Sequence, residues 1–325
     1  MSTRRRARLL DAAAILILLL LAVAFFGRVT LGGKSMLPAD NVFAWEPWKS
    51  YAAEAGVGAP HNGLLSDLYI ENYAWKQLIV ESLRARQLPL WNPYILSGVP
   101  FLAAGQHSAL YPFSILFYLL PLAAAFGWFA ALHLWLGGVC TYLLARTLRA
   151  GRIGSLVAAV TWTFAGFTIT HNVFPMIIAA VVWLPLILLV IERIVRRAQE
   201  GSGGVTRHIP DLILGALATG MVFLAGHPEM YYYVGLTSAA YAVWRLVGLA
   251  AQTRRVRVVL QTGAVLLALA LLGVGLGAGQ WVPLFQLVRG NFREGAASLQ
   301  DVLEWAYPKR RLIALLIPDF FGNPA

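Results

Sequence analysis

The chain predicts an all-α polytopic membrane protein, on three observations. Hydrophobic residues fill 59% of 325 positions, only 13% are charged, and mean hydropathy is +0.67, far above the range of soluble domains. Apolar runs close to the ~20 residues that a bilayer core demands recur along its length. Arginines cluster between alternate runs and are sparse between the others. The net charge of +11 and pI near 10.1 therefore follow the membrane edges and predict no nucleic-acid partner.

Seven spans are expected, at 9–26, 124–144, 155–170, 176–190, 212–226, 231–250 and 258–284. The first follows Arg4, Arg5, Arg6 and Arg8. It is long for the apolar core of a cleaved signal peptide, and no small-x-small site follows it. Under either reading the next loop lies outside. Residues 112–122 are apolar but short, with Pro112 and Pro121 near their ends, so they read as a re-entrant or interfacial piece.

Charge supports this count. One side then carries Arg4, Arg5, Arg6, Arg8, Arg146, Arg149, Arg152, Arg193, Arg196, Arg197, Arg207, Arg245, Arg254, Arg255 and Arg257, against the acids Asp11, Glu192, Glu200 and Asp211. All of the +11 falls on that side and none on the other, as the positive-inside rule expects of a cytoplasmic N-terminus. Cys140 is the only cysteine, which excludes an intrachain disulfide and a cysteine zinc site. Gly273, Gly275, Gly277 and Gly279 follow no strand, so they read as a helix-packing face and not a dinucleotide fingerprint. No P-loop, HExxH or nucleophile elbow is present.

Residues 27–108 form the first outer loop, long enough to carry function. In it Asp40, Trp48, Lys49 and Glu54 recur 27 positions on as Asp67, Trp75, Lys76 and Glu81. The stretch after Asp67 suits an interfacial helix with its indoles at head-group level, ended by Pro89. Trp91-Asn92-Pro93-Tyr94 reads as a tight turn, and Trp91 and Asn92 join the substrate-binding candidates. Asp40 and Asp67 are the catalytic candidates: a carboxylate over a membrane-level cavity can take the proton of an acceptor hydroxyl. Each could instead be a helix N-cap. Lys34, Lys49, Lys76, Arg84 and Arg86 are placed to neutralise a lipid phosphate, or to snorkel. Trp45, Trp48 and Trp75 could stack on a sugar or sit in the aromatic belt.

Two short outer hairpins add His171-Asn172 and His227-Pro228-Glu229, as turn formers or as ligand contacts. His133, mid-helix, is expected to make a helix-helix hydrogen bond.

Ser66-Asp67-Leu68-Tyr69, Leu88-Pro89-Leu90-Trp91-Asn92-Pro93-Tyr94, Gly98-Val99-Pro100-Phe101 and Tyr111-Pro112 give the chain a family likeness. So do Phe164-Ala165-Gly166-Phe167, Gly226-His227-Pro228-Glu229, Gln280-Trp281-Val282-Pro283 and Pro318-Asp319-Phe320-Phe321-Gly322. Together they resemble the bacterial YfhO family of membrane proteins, which belong with the GT-C glycosyltransferases. The resemblance implies one GT-C-like transmembrane domain over 1–325 in the bacterial inner membrane, C-terminally truncated relative to longer members. It implies transfer of a sugar from a polyprenyl-phosphate donor to a cell-envelope glycan or lipid acceptor on the outer face, with Asp40 as base and Asp67 second. Many GT-C enzymes carry paired acids or a DxD-like motif, which this chain lacks, so a divalent metal is left open and not required. A lipid or oligosaccharide transporter and a non-catalytic scaffolding subunit are the alternatives.

Overall fold

A computed structural model describes residues 3–59, 62–201, 205–290, 298–304, 306–317 and 320–322. Pro318 and Asp319 of the last motif, and the side chain of Arg4, lie outside the described residues. The helices are α1 (Thr3–Phe25), α2 (Gly27–Thr30), α3 (Ala74–Arg84), α4 (Ile115–Leu119), α5 (Leu122–Thr147), α6 (Arg152–Thr163), α7 (Gly166–Thr170), α8 (Pro175–Val181), α9 (Leu184–Gln199), α10 (Ile209–Leu224), α11 (Pro228–Thr253), α12 (Val256–Leu276), α13 (Ala278–Arg289) and α14 (Leu299–Glu304).

Five helical stretches are long and apolar enough to cross a membrane: Arg5–Phe25, Leu122–Thr147, Pro175–Gln199, Pro228–Thr253 and Val256–Leu276. The pair Arg152–Thr163 and Gly166–Val173 bends by 43° and makes a sixth if it is one span. Ala165 is extended there, with ψ of 148°, which interrupts the helical backbone between α6 and α7. The expected span at 212–226 falls on α10, whose 16 residues reach about 24 Å at 1.5 Å each. The expected span at 258–284 stops earlier, because the helix breaks between Leu276 and Ala278.

The stretch Pro175–Gln199 is 78% buried and forms the axis of the bundle, while Pro228–Thr253 is 11% buried and presents apolar faces outward. Close approach between helices uses small residues. A Cβ on Gly137 would meet the Trp162 ring at 2.0 Å, and one on Gly215 would meet Leu269 at 2.2 Å. Of the four late glycines only Gly273 and Gly277 serve this way, against Thr219 and Phe223, while Gly275 faces open space. The face is narrower than the sequence suggested because only residues four apart share it.

At the arginine-rich end the acids are neutralised pairwise. Asp11 accepts from Arg152 at 2.9 Å and Tyr142 at 2.7 Å. Asp211, which is buried, pairs with Arg193 at 3.0 Å and with Arg197. Glu192, also buried, takes Arg196 at 2.5 Å, Arg245 at 2.6 Å and the Tyr241 hydroxyl at 2.9 Å. Three of the four acids expected on that side are thus matched by arginines expected there.

Two corrections concern the outer loop. The fold is not wholly helical: Trp91–Asn92 (β1) and Val99–Pro100 (β2) pair antiparallel, with Trp91 opposite Pro100. The helix after Asp67 ends at Arg84, before Pro89. Arg86 is left-handed, with φ of +58°, and the bonds Arg86 N to Leu83 O and Gln87 N to Ser82 O close the helix with a Schellman turn.

Replacing Glu192 with Gln should lower the melting temperature of the purified protein. Arg196 and Arg245 would be left without a counter-ion, at a cost of about 2 kcal/mol, below that of a fully buried pair because Arg196 is partly exposed. Thermal unfolding in detergent checks this.

Candidate functional site

In the first loop the turns that carry the two candidate acids are bonded to each other through neighbouring residues. Asp40 lies in the 3-10 turn Ala39–Ala44, partly buried and engaged by a neighbour. Asn41 next to it is fully buried, and its Nδ2 donates to Asn62 O at 2.6 Å and Ser66 Oγ at 3.4 Å. The turn carrying Asp40 is therefore seated on the turn carrying Asp67. The Asn41 Oδ1 is buried with no partner among the described residues.

Asp67 precedes a π-helical segment, Leu68–Tyr73, and makes no side-chain cap bond, so the N-cap reading fails. Asn62 caps instead, accepting from Leu64 N at 3.0 Å. Asp67 is exposed, yet it matters to its neighbour. Partial burial, and then the negative charge of Asp67, hold the Glu71 carboxyl above its ordinary value. π-helical insertions recur at functional sites, and a raised carboxyl pKa moves toward the range that proton transfer needs. Glu71 was not foreseen; its spacing of four from Asp67 was the available signal.

Lys76 is placed differently from its expected role on a lipid phosphate. It is 1% exposed, its Nζ donates to His107 O at 2.6 Å, and the Phe117 ring centroid lies 4.6 Å away. Here it is a tether inside the protein. The carbonyl and the ring favour the ammonium, but burial outweighs them and pushes the amine down to about 7. His107 is buried too. Its Nε2 faces Phe101 O at 2.9 Å and Leu102 O at 3.2 Å, while Nδ1 accepts from Ala109 N at 3.0 Å. Carbonyls only accept, so the proton sits on Nε2 and the neutral ring is fully satisfied. Burial, and then the Lys76 charge, push its pKa down to about 4.

The same segment is fastened to the bundle at four points. Ser108 Oγ donates to Ala225 O at 2.7 Å, and Gln280 Nε2 donates to Leu102 O at 3.0 Å. Gly226, with φ of +86°, lies so close to Gly105 that a Cβ would stand 1.9 Å from the Gly105 oxygen. The Tyr111 hydroxyl stands 2.9 Å from His133 Nε2 and accepts from Trp183 Nε1 at 3.1 Å. Because His133 Nδ1 lies 2.7 Å from Phe129 O, it carries the proton and Nε2 accepts from Tyr111. The expected helix-helix bond of His133 is not made directly: its partners are Phe129 O of its own helix and the loop residue Tyr111, whose hydroxyl accepts from Trp183 just before α9. His107 and Ser108 belong to no motif in the sequence, and Tyr111 and Gln280 enter only through the family likeness; their tertiary partners reveal what they do.

His171, His227 and Glu229 come into mutual reach at the two outer hairpins. Burial lowers the His227 pKa, Glu229 opposes that effect, and His171 adds to it. His227 Nδ1, Asn172 Oδ1 and Gln280 Oε1 are buried without partners among the described residues. Glu229 is exposed and accepts from Tyr233 at 3.0 Å. The remaining candidates are dispersed. Lys34, Lys49 and Trp45 are exposed, and Trp75 is half-buried. Trp48 lines an open hollow of about 470 Å³ with Phe43, Tyr51 and Glu54. Asn92 is a turn former, its Oδ1 accepting from Tyr94 N at 3.0 Å, and the Trp91 indole covers Gly98, whose φ is +110°. The two halves of the 27-residue repeat do not fold alike. The first forms 3-10 turns and the second a helix, so Lys49 is exposed where Lys76 is buried.

Among the described residues no group of three or more His, Cys, Asp or Glu could hold a metal ion. Comparison with family models, with curated proteins and with solved structures gives no match.

The tether should respond to pH. Folded Lys76 binds its proton less tightly than an unfolded lysine, so cap stability rises as pH climbs from about 7 to 10.5. His107 adds stability that is lost as pH falls from 6.5 to about 4. Amide exchange of residues 101–111 should therefore be fastest near pH 4, after correction for intrinsic rates, and Lys76→Met should flatten the alkaline part of the profile.

Proposed function

We propose that the chain is an integral-membrane glycosyltransferase of GT-C-like fold. It crosses the bacterial inner membrane seven times with its N-terminus in the cytoplasm. It moves a sugar from a polyprenyl-phosphate donor to a glycan or lipid acceptor on the outer face, by direct displacement with inversion. The observation that carries the reading is the seating of the Asp40 turn on the Asp67–Glu71 turn through Asn41 and Ser66. It joins the turns that carry three acidic residues, in a loop bonded to apolar helices, where a lipid-borne head group would arrive.

In this reading Asp40 takes the acceptor proton as the sugar-phosphate bond breaks, and the electron pair leaves with the phosphate. The raised pKa of Glu71 suits it to relay that proton. His171 and His227 supply donors at the other rim. A non-catalytic binding subunit or a transporter is the second reading, favoured by the hollow nearest Asp40 in sequence having Glu54 as its carboxylate.

The test is transfer from a radiolabelled polyprenyl-phosphate sugar in membranes expressing the chain. Asp40→Asn should reduce turnover by about 10²–10⁴-fold with expression unchanged. Wild-type turnover in that variant removes the assignment, and donor binding with no product in the wild type supports the second reading.

A further inference from the structure

The opposite end of the bundle holds a cavity that the proposed chemistry does not use. It has a volume of about 510 Å³ and opens between the C-terminal ends of α5, α9 and α11. Three guanidinium groups line it, those of Arg149, Arg196 and Arg245, against the carboxylates of Glu192 and Glu200.

Glu192 is already saturated. Its oxygens take Arg196 Nε, Arg245 Nε, Arg245 Nη2 at 3.2 Å and the Tyr241 hydroxyl. That carboxylate cancels one of its two arginines and leaves the trio with a charge of +1. Each guanidinium carries five N–H groups, so donors remain on both arginines after Glu192 is served. The side chain of Arg149 enters no ion pair or hydrogen bond among the described residues. Glu200 offsets one charge, and the cavity as a whole remains positive.

Its walls fit a lipid and not a soluble ion alone. Trp244 stands on the rim, 63% exposed, and exposed indoles on spanning helices settle at head-group level. Gln199 Nε2 donates a hydrogen bond of 2.8 Å to Gln252 Oε1 between α9 and α11, which fixes the spacing of the two arginine-bearing walls.

We propose that this cavity binds the phosphodiester of an anionic phospholipid. Arg149 and the spare donors of Arg196 and Arg245 hold the phosphate, and Trp244 lies beside the glycerol region. Basic pockets between membrane helices suit such head groups because charge complementarity adds to the lipid's own placement in the bilayer. The site is independent of the transfer reaction proposed above and stands or falls separately.

The full chain, purified into phosphatidylcholine nanodiscs with and without phosphatidylglycerol, provides the test. Retained lipid is counted by native mass spectrometry and stability by thermal unfolding. Phosphatidylglycerol should be retained and should raise the melting temperature. Arg149→Gln should weaken retention about fivefold while melting as the wild type does in phosphatidylcholine alone. Equal retention of the two lipids, or equal phosphatidylglycerol retention by wild type and Arg149→Gln, overturns the proposal. Stabilisation by inorganic phosphate equal to that by phosphatidylglycerol overturns the lipid assignment in favour of a soluble anion.

Discussion

A lysine amine removed from water is costly unless something answers it, and Lys76 is answered by the His107 carbonyl and the face of the Phe117 ring. The carbonyl contact joins two parts of the outer loop 31 residues apart in sequence. His107 in turn fixes the 101–109 segment through its ring nitrogens. From there Ser108 and Gln280 carry the connection into the membrane helices. The loop is a folded cap because these contacts leave its last third nowhere else to go. The turns bearing Asp40 and Asp67 are positioned by the same cap.

The two ends of the molecule solve the problem of charge in different ways. At the arginine-rich end, acids inside or beside the helices are matched one against two by guanidinium groups. Burial there is tolerated because each charge has a partner of opposite sign. At the opposite end, the buried Lys76 has no carboxylate paired with it among the described residues, and burial lowers the affinity of its amine for a proton. Burial brings that amine down to about 7.

Much of the architecture was legible from the chain. Hydropathy and arginine placement located the apolar helices, since both signals are local and span about 20 residues. The ends of helices were less legible. The break before Ala278 and the stop at Arg84 depend on Phe223 packed against Gly277 and on the left-handed Arg86, neither of which hydropathy encodes. The 27-residue repeat misled for a similar reason. Equal residues at equal spacing gave Lys49 to the surface and Lys76 to the interior, because only the second copy meets Phe117 and His107. Within the candidate site, the acids and hairpin histidines could be picked out by residue type. The roles of the pinning residues could not, being those of single polar groups whose meaning lies in tertiary partners, 117 and 178 positions away for Ser108 and Gln280.

The most direct test of the account is whether the cap sits on the hairpin between α10 and α11. In a Cys140→Ser background, cysteines at Ser108 and Ala225 are the only thiols, and the wild-type Ser108 Oγ lies 2.7 Å from the Ala225 carbonyl. Oxidation in intact membranes should join them in a disulfide and leave both resistant to a membrane-impermeant maleimide. Failure to form the bond, with free labelling of both cysteines, would contradict the account.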